Sequence, residues 1–139
     1  MKRALGVSLL LAFTLQALRW KLTTVSITGT SMEPVIHAGS VLVLWRTRKV
    51  NINDVVLVSL PDPRGRWPTD PGKPNGYLIK RVTATAGQPV DTLAGPVPSD
   101  HVYLEGDNPG RSLDSRQLGA CPLTAVHGRI IWPTLGRQS

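Results

Sequence analysis

The sequence predicts an all-β domain, mostly antiparallel, preceded by one N-terminal transmembrane helix. Three observations predict the class. After residue 22, short runs rich in Val, Ile and Thr recur along the chain. Glycine and proline punctuate them, at 13 and 12 of 139 residues. No window beyond the N-terminus sustains helical periodicity. The chain therefore divides into a membrane anchor over 1–22 and a β domain over 23–139.

The first element is the stretch Ala4–Leu18, fifteen residues without a charge, bounded by Lys2-Arg3 and by Arg19-Trp20-Lys21. As a helix it rises about 22 Å at 1.5 Å per residue, against a hydrocarbon core of roughly 30 Å. Basic side chains and an interfacial tryptophan at its ends make up the deficit by snorkelling. A secretory signal peptide has an apolar core of similar length. No small-x-small cleavage site follows here, because Ala17-Leu18-Arg19-Trp20-Lys21 is the wrong chemistry. A mitochondrial presequence is disfavoured as well, since Leu5–Leu11 carries no basic face. Both flanks carry two basic residues, so charge does not set the orientation.

Strands follow in order: Thr23–Ile27, Val41–Leu44, Val55–Val58, Tyr77–Ala86, Val102–Glu105 and Gly128–Trp132. Turn residues separate them at His37-Ala38-Gly39 and at Asn51-Ile52-Asn53-Asp54. Two loop excursions interrupt the series. Pro61–Gly76 holds five prolines and three glycines, and Gln88–Asp100 is shorter. Both are expected to be solvated connections. The lone Cys121 excludes an internal disulfide and has no partner for a metal site; no metal and no cofactor is implied.

A net charge of +7 raises the question of nucleic acid. Four of the sixteen basic residues flank the apolar segment, and the rest are scattered without aromatic interleaving. A lipid bilayer with anionic head groups is the better partner, and nucleic acid is not expected.

Chemistry concentrates at Ser31, in Gly29-Thr30-Ser31-Met32-Glu33-Pro34, and at Lys80, in Tyr77-Leu78-Ile79-Lys80-Arg81-Val82. A serine hydroxyl needs a base to become a nucleophile. Lysine is that base only where burial lowers its pKa toward neutrality, and Leu78 and Ile79 make such burial natural. Downstream, Gly106-Asp107-Asn108-Pro109-Gly110-Arg111-Ser112-Leu113-Asp114-Ser115-Arg116 is far more polar than a simple turn requires. None of His37, His101 and His127 stands in the position of Lys80.

Four blocks resemble the type I signal peptidases, the Ser/Lys-dyad family of membrane-anchored leader peptidases. These are Gly-Thr-Ser-Met-Glu-Pro at 29–34, Asn-Asp-Val-Val-Leu-Val at 53–58, Lys-Arg-Val at 80–82 and Gly-Asp-Asn-x-x-x-Ser-x-Asp-Ser-Arg at 106–116. The resemblance implies Ser31 as nucleophile and Lys80 as general base. It implies that Ser112 hydrogen-bonds the lysine amine, that Asp107 pairs with Arg81, and that Asp114 pairs with Arg116. The Ser31 N–H would help form the oxyanion hole. Many bacterial members place a hydroxyl two positions before the nucleophile; Gly29 stands there, leaving Thr30 or a backbone N–H as the second donor. The substrates implied are the leader peptides of precursor proteins, cleaved through an acyl-enzyme.

Within the family, the short anchor, Ile27-Thr28-Gly29-x-Ser31-Met32 and the terminal Ile130-Ile131-Trp132-Pro133 resemble the mitochondrial inner membrane protease subunits. The segment around Ser31 is closer to subunit 2, whereas Asp114-Ser115-Arg116 is closer to subunit 1; subunit 2 is favoured. That branch implies an inner-membrane location, a catalytic domain facing the intermembrane space and a sister subunit as heterodimer partner. The alternative location is a bacterial plasma membrane, facing outward. Two rival functions remain: a self-cleaving repressor-type Ser/Lys peptidase, and a non-catalytic membrane-tethered β module that binds a partner.

Overall fold

The computed structural model describes residues 2–70 and 72–133. Met1, Pro71 within the first loop excursion, and 134–139 at the end of the expected β domain lie outside the described residues.

A helix, α1 (Lys2–Lys21), runs straight into the first strand. Its side chains from Val7 onward are exposed, among them Leu10, Phe13 and Trp20. Among the described residues no helix is long and apolar enough to cross a membrane. The expected transmembrane element is thus present as a helix but not as a sufficient span. Ser8, Thr14 and Gln16 dilute its apolar core, and the charges at Arg19 and Lys21 close it early.

The strands are β1 (Leu22–Ser26), β2 (Val41–Trp45), β3 (Val55–Ser59), β4 (Tyr77–Thr85), β5 (His101–Glu105), β6 (Cys121–Pro122) and β7 (Val126–Trp132). They form one sheet in the order β1-β2-β7-β3-β4-β5-β6, with every described pairing antiparallel. The all-β, antiparallel expectation therefore holds for the body of the chain. A two-residue strand such as β6 is too short to leave a periodic signature. The same holds for α2 (Ser115–Leu118), a single turn.

Strand β3 is buried along its whole length, and its alternation separates two cores. Val55 and Leu57 pack with Ile27, Met32, Ile36 and Leu42. Val56 and Val58 pack on the other face with Val82, Leu104 and Val126. Cys121 lies in this second core, where burial pushes its thiol up to about 12.

Both loop excursions do more than connect. Trp67, in the first, is buried in the second core, and its indole N–H donates to Gly119 O at 3.0 Å. In the second, Val97 is buried against Ala84 and Tyr103 in a small third cluster. The expectation of purely solvated loops fails at these residues because an indole or valine side chain gains more by burial than its polar neighbours lose.

Candidate active site

The loop between β1 and β2 carries Ser31, and its own packing holds it. Ile27 N–H donates to Ser40 O at 2.9 Å and Gly39 N–H to Ile27 O at 2.7 Å, which closes the loop at its base. Gly39 makes this closure at φ +87°, a conformation that a Cβ would strain. Met32 and Ile36, each 2% exposed, sink into the first core and are joined by Ile36 N–H to Met32 O at 2.9 Å. Ser31 is thus the polar residue next to a buried anchor.

Lys80 reaches this loop from the middle of the sheet. Its backbone pairs with Val56 on β3, so its position is fixed by the ladder. The side chain is 1% exposed, and Nζ lies 2.9 Å from Ser31 Oγ. Burial pushes the amine down to about 8. Asp114 opposes that shift through its negative charge, and Arg116 adds to it. At pH 7 a useful fraction of this lysine is neutral, whereas an exposed one is almost wholly charged.

The 106–116 segment supplies the wall. Asp114 is fully buried and accepts from Gly106 N–H at 2.8 Å, Ser112 O–H at 2.5 Å, and Arg116 Nε and Nη2 at 2.9 and 2.5 Å. Burial alone would raise its pKa, but the hydrogen bonds from Arg116, Gly106 and Ser112 outweigh it and hold the carboxyl below the usual range. Asp114 also caps α2, with the Gln117 side chain accepting from its N–H in return. The expected Asp114–Arg116 pair is therefore present.

The second expected pair is present too. Arg81 is fully buried and grips Asp107 with Nε and Nη2 at 2.9 and 2.7 Å. Its Nη1 donates to Asn53 O at 3.0 Å, tying the β2–β3 turn to the site. Asn53 holds that turn at φ +73°.

Ser112 departs from expectation. Its hydroxyl donates to Asp114, and among the described residues no hydrogen bond joins it to Lys80. A buried carboxylate is the stronger acceptor, and it lies only two residues away. Gly29 is exposed, and a Cβ there would meet nothing within 4 Å. Thr30 contributes its carbonyl, which accepts from Asn108 Nδ2 at 3.1 Å.

Two residues beyond the expected set hold the site together. Asn108 donates its backbone N–H to Ser31 O at 2.9 Å as well as its side-chain amide to Thr30 O. It thereby clamps the serine loop to the polar segment. Gly106 stands where the two meet. An added Cβ would lie 2.6 Å from both Ser112 Cβ and Ser31 O. Glycine within the 106–116 string was the only available signal. Gly106→Ala is expected to destabilise the protein by about 1–3 kcal/mol through overpacking and to displace the serine loop. The check is thermal unfolding alongside the rate of Ser31 acylation; an unchanged Tm would show that the contact is not structural, and an unchanged rate that it does not place the serine loop.

A cleft of about 310 Å³ opens beside Ser31, between Ile27–Gly29 and Tyr77–Ile79. Strand β5 pairs with β4 only from Arg81 onward, so among the described residues no strand pairs with that edge of Tyr77–Ile79, which line the cleft. Among the described residues no group of His, Cys, Asp and Glu could hold a metal ion.

Comparison with known proteins gives the same direction. The family described as signal peptidase, peptidase S26, matches residues 1–95 and 91–135. The mitochondrial inner membrane protease subunit 2 of Mus musculus is 32% identical over 120 residues, covering 76% of this chain and 64% of the relative. Subunit 1 of the Xenopus tropicalis protease is 32% identical over 121 residues, covering 76% and 66%. The mitochondrial ATP-independent inner membrane protease subunit 1b of Arabidopsis thaliana is 30% identical over 119 residues, covering 75% and 64%. The chain spans roughly two thirds of these relatives, and the identities do not separate subunit 2 from subunit 1. A family match over nearly the whole length, on a sheet that joins the serine loop to the lysine strand, leaves one assignment: this chain belongs to the signal peptidase family, peptidase S26.

Proposed function

We propose that the chain is a membrane-bound serine endopeptidase that removes N-terminal leader peptides from precursor proteins through Ser31 and Lys80. The observation that carries the proposal is the 2.9 Å contact between Lys80 Nζ and Ser31 Oγ, made by a lysine 1% exposed.

Neutral Lys80 accepts the Ser31 proton as Oγ attacks the scissile carbonyl. The ammonium then returns that proton to the leaving amine, and the carbonyl is left esterified to Ser31. Water, deprotonated by the same amine, cleaves the ester and frees the serine. The Ser31 N–H faces the developing oxyanion as one donor. Arg81–Asp107 and Asp114–Arg116 hold the walls, and Ser112 positions Asp114, whose charge acts on the lysine. An extended precursor segment fits the cleft as an added strand on the Tyr77–Ile79 edge.

The relatives, named as subunits of mitochondrial inner membrane proteases, support an inner mitochondrial membrane location and a sister protease subunit as partner; on this reading the β domain faces the intermembrane space. Helix α1, with its exposed apolar side chains and with Trp20 and Lys21 at its end, is the element that would hold the domain at the bilayer.

The test is to incubate the full chain in detergent with mitochondrial and bacterial precursors and to sequence the N-termini of the products. Cleavage at discrete sites, lost in Ser31→Ala, is expected; intact precursors in every case would overturn the proposal. The pH profile adds a sharper reading. Lys80 acts as its neutral form, so kcat/KM is expected to rise about tenfold per pH unit below the lysine pKa and to level off above about 8. A midpoint in the histidine range, near 6.5, would contradict a lysine base.

A further inference from the structure

The groove does not end at the dyad. The cleft beside Ser31 runs into a larger one of about 440 Å³, and the two share Val25, Ser26, Leu57 and Tyr77. The far end is lined by Thr23, Thr24, Arg46 and His127. Its chemistry differs from that of the apolar floor near Met32 and Ile79.

His127 is built into this end. Ser59 is fully buried, and its Oγ lies 2.7 Å from His127 Nε2. The Tyr77 ring meets the imidazole edge-on, with centroids 5.1 Å apart at 87°. Strand pairing explains the cluster, since Ser59 pairs with Tyr77, and Val58 with Val126. The local field is positive: burial, then Arg48 and Arg46, hold His127 below its ordinary pKa. Among the described residues no Asp or Glu lines the cleft, and neither Arg46 nor Arg48 has a carboxylate partner. An exposed, unpaired arginine at the end of a peptide-sized groove attracts an anion.

We propose that this end of the groove is a specificity subsite for an acidic side chain of the substrate, with Arg46 as its charge partner and Thr24 and His127 as its polar wall. The inference rests on the reading of the cleft as a peptide site. Seven residue steps separate Thr24 from Ser31, and β1 ends at Ser26. A substrate extended at about 3.3 Å per residue therefore places its acidic residue up to about seven positions from the scissile bond.

The experiment measures binding, so that it does not depend on turnover. Full-length Ser31→Ala in detergent is titrated into fluorescent sixteen-residue peptides that differ only in carrying Glu or Lys at each position from three to seven on either side of the cut. At one position Glu is expected to bind about fivefold tighter than Lys at low salt, the scale of an exposed ion pair, with the gap closing in high salt. In Ser31→Ala combined with Arg46→Glu the order is expected to reverse. Arg46 is exposed, so this change leaves the cores untouched. Equal affinities for Glu and Lys at every position would overturn the subsite, as would a preference that survives Arg46→Glu or an absence of binding. Should the preference track Arg46 while the wild-type chain leaves every peptide intact, the catalytic reading falls and the subsite stands.

Discussion

Lys80→Ala is expected to lower kcat/KM by about 10³-fold or more, the scale on which removal of one member of a nucleophile–base unit acts. The cause is local in the proposed mechanism: Lys80 is its base, with Nζ 2.9 Å from Ser31 Oγ, and no histidine is hydrogen-bonded to that hydroxyl among the described residues. The fold should survive. An amine with a lowered pKa is one whose charged form burial disfavours, and removing it relieves that penalty while leaving a cavity of a few methylenes. Unfolding of the variant should therefore shift far less than its activity does. A variant that keeps even a tenth of wild-type turnover would remove Lys80 from the mechanism.

Asp114→Ala carries the largest expected effect on stability. The carboxylate is fully buried and is shared by Gly106, Ser112 and Arg116, while also capping α2. Removing it orphans a guanidinium that is itself largely enclosed, together with a buried N–H, which costs about 3–5 kcal/mol. For a domain of this size that corresponds to a fall in Tm of roughly 10–20 °C. The gentler Asp114→Asn separates charge from packing. Asp114 raises the Lys80 pKa, so its neutral replacement is expected to move the midpoint of the pH–rate profile below about 8. The combined readout is a thermal scan for D114A and a pH profile for D114N. A D114A Tm within about 2 °C of wild type, or an unmoved midpoint in D114N, would show that Asp114 is a bystander.

How much of this was legible in the sequence differs from one residue to the next. Ser31, Lys80, Arg81 and the two ion pairs were legible because their motifs are dense and specific. Strand positions came through well where β-branched runs sit between turn residues, as at Val55–Ser59. Asn108 and Gly106 were not legible as a clamp, because the clamp joins Asn108 to the main-chain carbonyls of Thr30 and Ser31, far away in sequence. Backbone carbonyls carry no sequence signal. Ser112 was expected on the lysine and lies instead on Asp114, since a choice among acceptors is decided by geometry within an ångström. Trp67 was hidden by the prolines and glycines around it. The anchor was legible as a helix but not as a span, because Ser8, Thr14 and Gln16 fall inside a stretch already short of the bilayer.

The central claim is that a lysine-activated Ser31 forms a covalent acyl intermediate. The most direct measurement is mass spectrometry of the full chain treated with a serine-acylating penem across a pH series. A single adduct on the peptide containing Ser31 is predicted, absent in Ser31→Ala and forming faster as pH rises through about 8. An unmodified Ser31 at every pH, or an adduct that persists in Ser31→Ala, would contradict it.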